Sequence, residues 1–137
     1  MKLLTMLETR LGRLPRFLVA GGGATLIHWL TMWALVQTGV DARVATSIGA
    51  GVGLLVNYLA QHRFTFESNL AHGVAFPRYL AGAALGWVLN LVAFSALIGA
   101  GAGIVWSQGI ATAVVALANF LFAQRFVFHE APDETPE

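Results

Sequence analysis

Four stretches of this chain, roughly residues 17–38, 45–60, 79–100 and 104–123, contain no Asp, Glu, Lys or Arg. A helix that crosses a bilayer needs about 20 mainly apolar residues. Three of the stretches reach that length as they stand, and the second reaches it when residues 42–61 are counted. Composition leaves little else open. Only 11% of the residues are charged and 57% are hydrophobic, whereas a soluble domain carries about a quarter charged residues. There are too few polar side chains to cover a water-facing surface. The chain therefore reads as an all-α membrane protein with four transmembrane helices.

Two other readings of these stretches fail. A cleaved signal peptide has an apolar core of about 7–15 residues ending at a small-residue site. The first stretch is longer, contains His28 and Gln37, and is followed at once by another span. A soluble helical bundle needs polar outer faces, and none of the four stretches has one. With no cysteine in the chain, disulfides and thiolate metal sites are excluded.

Orientation follows from Lys and Arg, which accumulate in short cytoplasmic segments. Lys2, Arg10, Arg13 and Arg16 precede the first span, Arg63 and Arg78 lie between the second and third, and Arg125 follows the fourth. Only Arg43 falls on the other side, beside Asp41. Both termini and the middle loop are expected in the cytoplasm, with the protein multi-pass in the cytoplasmic membrane.

The chain also repeats itself. Residues 16–66 align without a gap on residues 78–128, at an offset of 62. "NYLAQHRFTF" (from Asn57) returns as "NFLFAQRFVF" (from Asn119), and Arg16/Arg78, Gly39/Gly101, Arg63/Arg125, Phe64/Phe126 and Phe66/Phe128 are identical pairs. Each copy holds two spans, so both enter the membrane from the same side, as two parallel two-helix repeats. Small residues recur at the same depths: Ala20 and Ala24 against Gly82 and Gly86, Ser47 and Gly51 against Gly109 and Ala113. Small residues four apart let helix backbones approach closely in lipid, so these faces are expected to pack, and pairing of two chains through them is expected too. "GGG" at Gly21–Gly23 has no preceding strand, as a phosphate-binding loop would require, and reads as a packing feature as well.

The chemistry on offer is sparse. No carboxylate lies within a span, which argues against a proton-coupled drug pump. No nucleophile–base arrangement and no pair of acids is present, so no enzymatic activity, cofactor or metal is expected of the chain. His28 lies about 18 Å along the first helix from Arg16, near mid-bilayer, and its repeat partner is Asn90. The two polar residues either line a transit path for a polar head group or hydrogen-bond across the bundle. Arg16 and Arg78 begin spans one and three, and Arg63 and Arg125 follow spans two and four. Flanked by Phe64, Phe66, Phe126 and Phe128, they can anchor helix ends at the interface. Guanidinium groups also grip phosphate oxygens bidentately, and the Asn57 and Asn119 amides can donate to sugar or phosphate oxygens. Arg16, Asn57, Arg63, Arg78, Asn119 and Arg125 are thus candidate residues for a lipid phosphate or pyrophosphate.

A four-span chain with "RFLVAGGGATLIHWLTMWALV" opening span one and N-[YF]-L-x3-R-F-x-F closing spans two and four resembles the GtrA-like family. The resemblance runs from Arg16 to Phe128. It implies a role in synthesis of cell-surface polysaccharide or other glycoconjugates. It further implies either translocation of a polyprenyl-phosphate-linked sugar or support of a partner membrane glycosyltransferase. Related segments are membrane domains of dolichol-phosphate-mannose-synthase-type enzymes. The motif positions carried over are Asn57, Arg63, Asn119 and Arg125. Family versions often place a second Asn four residues after the first, followed by a basic residue. This chain has Gln61 and His62 there, and Ala123 and Gln124 in the second copy.

Three functions follow as expectations: a flippase for a lipid-linked sugar, a non-transporting adaptor for a glycosyltransferase, and, least favoured, a small-solute or multidrug carrier. Expected partners are membrane lipid, the polyprenyl-phosphate sugar and the glycosyltransferase, with no nucleic acid. Residues 1–16 read as a cytoplasmic interfacial helix, apolar at Leu3, Leu4, Leu7, Leu11 and Leu14 and basic at Lys2, Arg10 and Arg13. Residues 17–128 form the four-helix domain, and residues 129–137 an acidic, Pro-containing disordered tail.

Overall fold

The computed structural model describes residues 1–130; apart from His129 and Glu130, the acidic tail lies outside the described residues. The described chain is helical without strands. It consists of α1 (Lys2–Gln37), α2 (Ala42–Ala60), α3 (His72–Gly99) and α4 (Ile104–Phe122). A single π-helical turn extends α2 over Gln61–Thr65 and α4 over Ala123–Val127. All four helices are long and apolar enough to cross a membrane. Between 11% and 28% of the residues in their apolar windows are buried inside the protein, so most of the apolar side chains point outward. Trp29, Trp33, Trp87 and Trp106 are each more than 60% exposed. Such a surface is stable against lipid and not against water.

The chain divides into two compact units, Met1–Ser68 and Asn69–Glu137. Each is an antiparallel hairpin, α1 with α2 in one and α3 with α4 in the other. The turn of each hairpin is built the same way. In the first, Val40 N–H donates to Leu35 O and Gly39 N–H to Val36 O; 62 residues on, Ala102 donates to Leu97 and Gly101 to Ile98. This is a Schellman closure, and it needs a left-handed residue after the helix. Gly39 (φ 92°) and Gly101 (φ 90°) supply it. Asp41 then caps α2, its carboxylate accepting from the N–H groups of Arg43 and Val44. Gly39→Ala and Gly101→Ala are each expected to cost about 1 kcal/mol, read as lower unfolding midpoints in detergent.

Helix α1 has 36 residues, about 54 Å of helix against about 30 Å of hydrocarbon. Residues 2–16 are helical and continuous with the first span. The helix runs through Pro15, and α3 runs through Pro77. The two prolines are also 62 residues apart, which extends the repeat by one residue.

The small-residue faces differ in part from expectation. Ala20, Ala24, Gly82 and Gly86 are buried within their hairpins. In α2 the packed positions are Ala45, Gly49 and Gly53, and in α4 Ser107 and Ala111. Ser47, Gly51, Gly109 and Ala113 are exposed instead. The packed face is thus two residues away from the expected one, about 200° around the helix. A Cβ added at Gly21, Gly22 or Gly23 meets nothing within 4 Å, so the triplet is not a point of close helix packing. At Gly53 an added Cβ would lie 3.0 Å from the Ala24 carbonyl oxygen, so the hairpin closes there.

Candidate functional site

The four motif arginines separate into two kinds. Arg16 Nη1 donates to Phe64 O at 3.4 Å and to Glu67 Oε1 at 3.1 Å. Its guanidinium lies 5.4 Å from the centre of the Phe64 ring. Arg78 repeats the arrangement, donating to Phe126 O at 3.1 Å and His129 O at 3.5 Å, with the Phe126 ring centre 5.5 Å away. The shared acceptors, Phe64 O and Phe126 O, are carbonyls of the last turn of each hairpin's second helix, where carbonyls lack a partner inside the helix and form the negative end of its dipole. Arg16 and Arg78 therefore tie the two helices of their own hairpins together. Glu67 holds a left-handed φ of 46°, a conformation that costs a non-glycine residue about 1 kcal/mol, where its carboxylate meets Arg16.

Arg63 and Arg125 differ. Both are exposed, and neither makes a hydrogen bond or ion pair with a described residue. Each sits inside a π-turn, whose closing bonds are Phe66 N–H to Gln61 O (2.9 Å) and Phe128 N–H to Ala123 O (3.0 Å). The extra residue of a π-turn shifts the side chains after it around the helix, and such turns gather at functional sites. The structure thus brings the arginines together in pairs, one pair per hairpin. In each pair one arginine is engaged by the fold and one is open to a ligand.

Deeper in the first hairpin, His28 and Asn57 line one open groove of about 200 Å³, together with Gly21, Ala24, Thr25 and Gly53. No Asp, Glu, Lys or Arg lines it. His28 Nε2 and Thr46 Oγ1 form a hydrogen bond of 3.2 Å between α1 and α2, so His28 both links the helices and faces the groove. Gly21 contributes by its missing side chain, which keeps the groove open. Asn57 is fixed from below: Gln61 Nε2 donates to Asn57 Oδ1 at 3.2 Å. Gln61 is 3% exposed.

The second hairpin uses the same positions otherwise. Gln108 Nε2 donates to Asn90 Oδ1 at 3.2 Å and to Thr112 Oγ1 at 3.0 Å, the counterpart of the His28–Thr46 bond. Asn119 lies against Gly86, where an added Cβ would fall 2.7 Å from its Oδ1. Thr46 and Gln108 were not among the sequence-predicted residues. Their separation of 62 residues and shared ability to hydrogen-bond were the available signal. Gln61 was seen only as a departure from a motif, and Glu67 carried no signal.

Together these features define a class: an integral membrane protein of four spans, made of two helical hairpins of one design, each with a basic end. Residues 16–128 match the family described as "GtrA/DPMS, transmembrane domain", and the chain belongs to it. This places the protein among the membrane proteins of glycoconjugate synthesis. A search of curated proteins gave no match.

Proposed function

We propose that the protein moves a polyprenyl-phosphate-linked sugar across the cytoplasmic membrane, with both termini in the cytoplasm. The supporting observation is the groove of the first hairpin, an uncharged polar slot with Thr25, His28 and Asn57 in an otherwise apolar surface. A polar head group cannot cross hydrocarbon unaided, because each unsatisfied polar group costs several kcal/mol there. A slot open along one side carries the head group while the polyprenyl chain stays in lipid. Asn57 lies six residues before Arg63, about 9 Å along a helix, so the open arginine is suited to receive the phosphate at the slot's cytoplasmic end. Arg125 is the corresponding exposed arginine of the second hairpin.

A second reading has an observation of its own. The groove is smaller than the roughly 300 Å³ at which ordinary ligand pockets begin, so one hairpin holds only part of a glycosyl head group. A protein that grips part of a lipid-linked sugar can also present it to a partner glycosyltransferase without carrying it across.

Reconstituted vesicles separate the two. With a fluorescent prenyl-phosphate sugar and a membrane-impermeant quencher, the wild type is expected to expose inner-leaflet lipid to the quencher. Asn57→Ala combined with His28→Leu is expected to slow this at least tenfold at equal protein incorporation. Wild-type vesicles no faster than protein-free ones would remove the carrier reading and leave presentation to a glycosyltransferase. An undiminished rate in the double variant would remove the groove from the path.

A further inference from the structure

Helix α1 begins 13 residues before Pro15, whereas α3 begins five residues before the matching Pro77. The first hairpin therefore carries an arm, residues 2–14, that the repeat does not account for. The arm is about 20 Å long and precedes the packed part of α1, whose buried residues are Phe17, Ala20 and Ala24. It has two faces. At about 100° per residue, Leu3, Leu4, Leu7, Leu11 and Leu14 fall within little more than a quarter of the circumference. Lys2, Thr5, Glu8, Thr9, Arg10 and Arg13 fall outside it. Leu3, Leu4, Leu7 and Leu11 are between 47% and 71% exposed. A continuous apolar stripe of this kind is unfavourable in water and marks a contact surface.

Register and charge identify the contact as lipid. The leucine stripe continues onto the span through Leu18, itself 53% exposed, and is centred about 120° round the helix from Phe17, Ala20 and Ala24. It thus lies on the outward side of the span, away from the packed side. An arm that turns at its foot in that direction sets its leucines down on the bilayer. Its charges are Lys2, Arg10 and Arg13 against Glu8, and Lys2 and Arg10 make no hydrogen bond or ion pair with a described residue. A second copy of the chain fits the stripe less well. Leu4, Leu7, Leu11, Leu14 and Leu18 keep a coiled-coil spacing, but for two heptads, where about three or four are needed. Copies in one membrane run parallel, and the pairs that would flank the seam, Leu3 with Glu8 and Arg10 with Pro15, are not complementary.

Pro15 supplies the place to turn. Its nitrogen carries no hydrogen and its ring crowds the Leu11 carbonyl, so the helix is weakest at the foot of the arm. The Arg13 guanidinium, 5.8 Å from the centre of the Phe66 ring, ties that foot to the hairpin, and turning exchanges this contact for headgroup phosphates. We infer that residues 2–14 turn at Pro15 and dock in the plane of the membrane. The leucines then enter the acyl boundary, and Lys2, Arg10 and Arg13 meet anionic headgroups. Anionic lipid selects the docked position over the one continuous with the span. This is independent of what the groove carries.

The chain has no cysteine, so Thr5→Cys, Leu7→Cys, Thr9→Cys and Leu11→Cys each place one environment-sensitive fluorophore on the full chain. The labelled proteins are reconstituted in phosphatidylcholine vesicles with and without phosphatidylglycerol. With phosphatidylglycerol, labels at 7 and 11 are expected to be quenched by an acyl-chain spin label and shielded from aqueous iodide, and labels at 5 and 9 the reverse. Position 9 lies between 7 and 11 along the chain, so only a helix in the membrane plane separates them in this way. Without phosphatidylglycerol the contrast is expected to weaken. Arg10→Gln is expected to lower the ratio of docked to undocked arm about fivefold, and Pro15→Ala to move the labels at 7 and 11 toward water. The inference is overturned if all four labels respond alike, or if either Arg10→Gln or Pro15→Ala leaves the pattern unchanged. It is also overturned if positions 7 and 11 leave water only as the protein is concentrated in the bilayer, which would assign the stripe to a second copy.

Discussion

Gly49→Leu is expected to prevent the first hairpin from closing, with loss of the cooperative unfolding transition in detergent and poor recovery from membranes. A Cβ at this position would lie 2.6 Å from the His28 carbonyl oxygen, 2.8 Å from His28 Cδ2 and 3.3 Å from the Met32 amide nitrogen. Two of these three atoms are backbone, so no rotamer change relieves the clash. The helices must separate instead, which breaks the His28–Thr46 bond and opens the contact at Gly53. Overpacking by a methylene or two costs about 1–3 kcal/mol, and a whole leucine against a backbone carbonyl exceeds that range. Gly49→Ala is the graded version, expected to lower stability by roughly 2 kcal/mol. Gly51→Ala, two residues on, meets nothing within 4 Å. It should be neutral, or stabilising by up to about 1 kcal/mol through helix propensity. An equal loss in Gly49→Ala and Gly51→Ala would show that the packed face is not the one described.

That contrast also marks how far the sequence can be read. The span count was legible because charge is excluded from hydrocarbon, and the two-hairpin design because Arg, Asn, Gly and Phe recur at one offset. The Schellman turns were latent in the pair Gly39 and Gly101, since only their backbone requirement explains a glycine at both hairpin ends. Which small residues face the partner helix was not legible. In a soluble helix polar residues mark the outer face, but a lipid-facing surface is as apolar as the packed one, and i, i+4 spacings of small residues exist on several faces of α2. Ser47 and Gly51 satisfied the spacing as well as Gly49 and Gly53 did. The candidate site divides similarly. His28 and Asn57 stood out as polar residues in apolar helices, and the structure places both on one groove. Arg16 looked no different from Arg63, because what distinguishes them is a backbone carbonyl, and carbonyls have no signature in sequence.

The difference between those two arginines carries the second large effect. Arg63→Gln and Arg125→Gln are expected to leave the unfolding midpoint in detergent unchanged, since neither side chain bonds to a described residue. Each should weaken prenyl-phosphate binding about tenfold, in keeping with charge-assisted hydrogen bonds of about 1.5–3 kcal/mol partly screened at an exposed site. The loss should shrink as salt is raised, because an exposed guanidinium acts within a Debye length of about 10 Å at 0.1 M. Arg16→Ala and Arg78→Ala should behave in the opposite way. Each removes a donor to the helix-end carbonyls and a ring contact, and should lower stability by roughly 1 kcal/mol. Their effects should add, because the two lie in separate hairpins with no shared partner. Lysine at these two positions keeps the charge but cannot span two acceptors with a planar fork, so Arg16→Lys and Arg78→Lys should recover only part of the stability. Unfolding curves and prenyl-phosphate titrations on the same six variants decide the matter. Should Arg63→Gln and Arg125→Gln bind as well as wild type while Arg16→Lys folds normally and loses affinity, the phosphate belongs at the tethering arginines and the open pair serves only to anchor the helix ends in the headgroups.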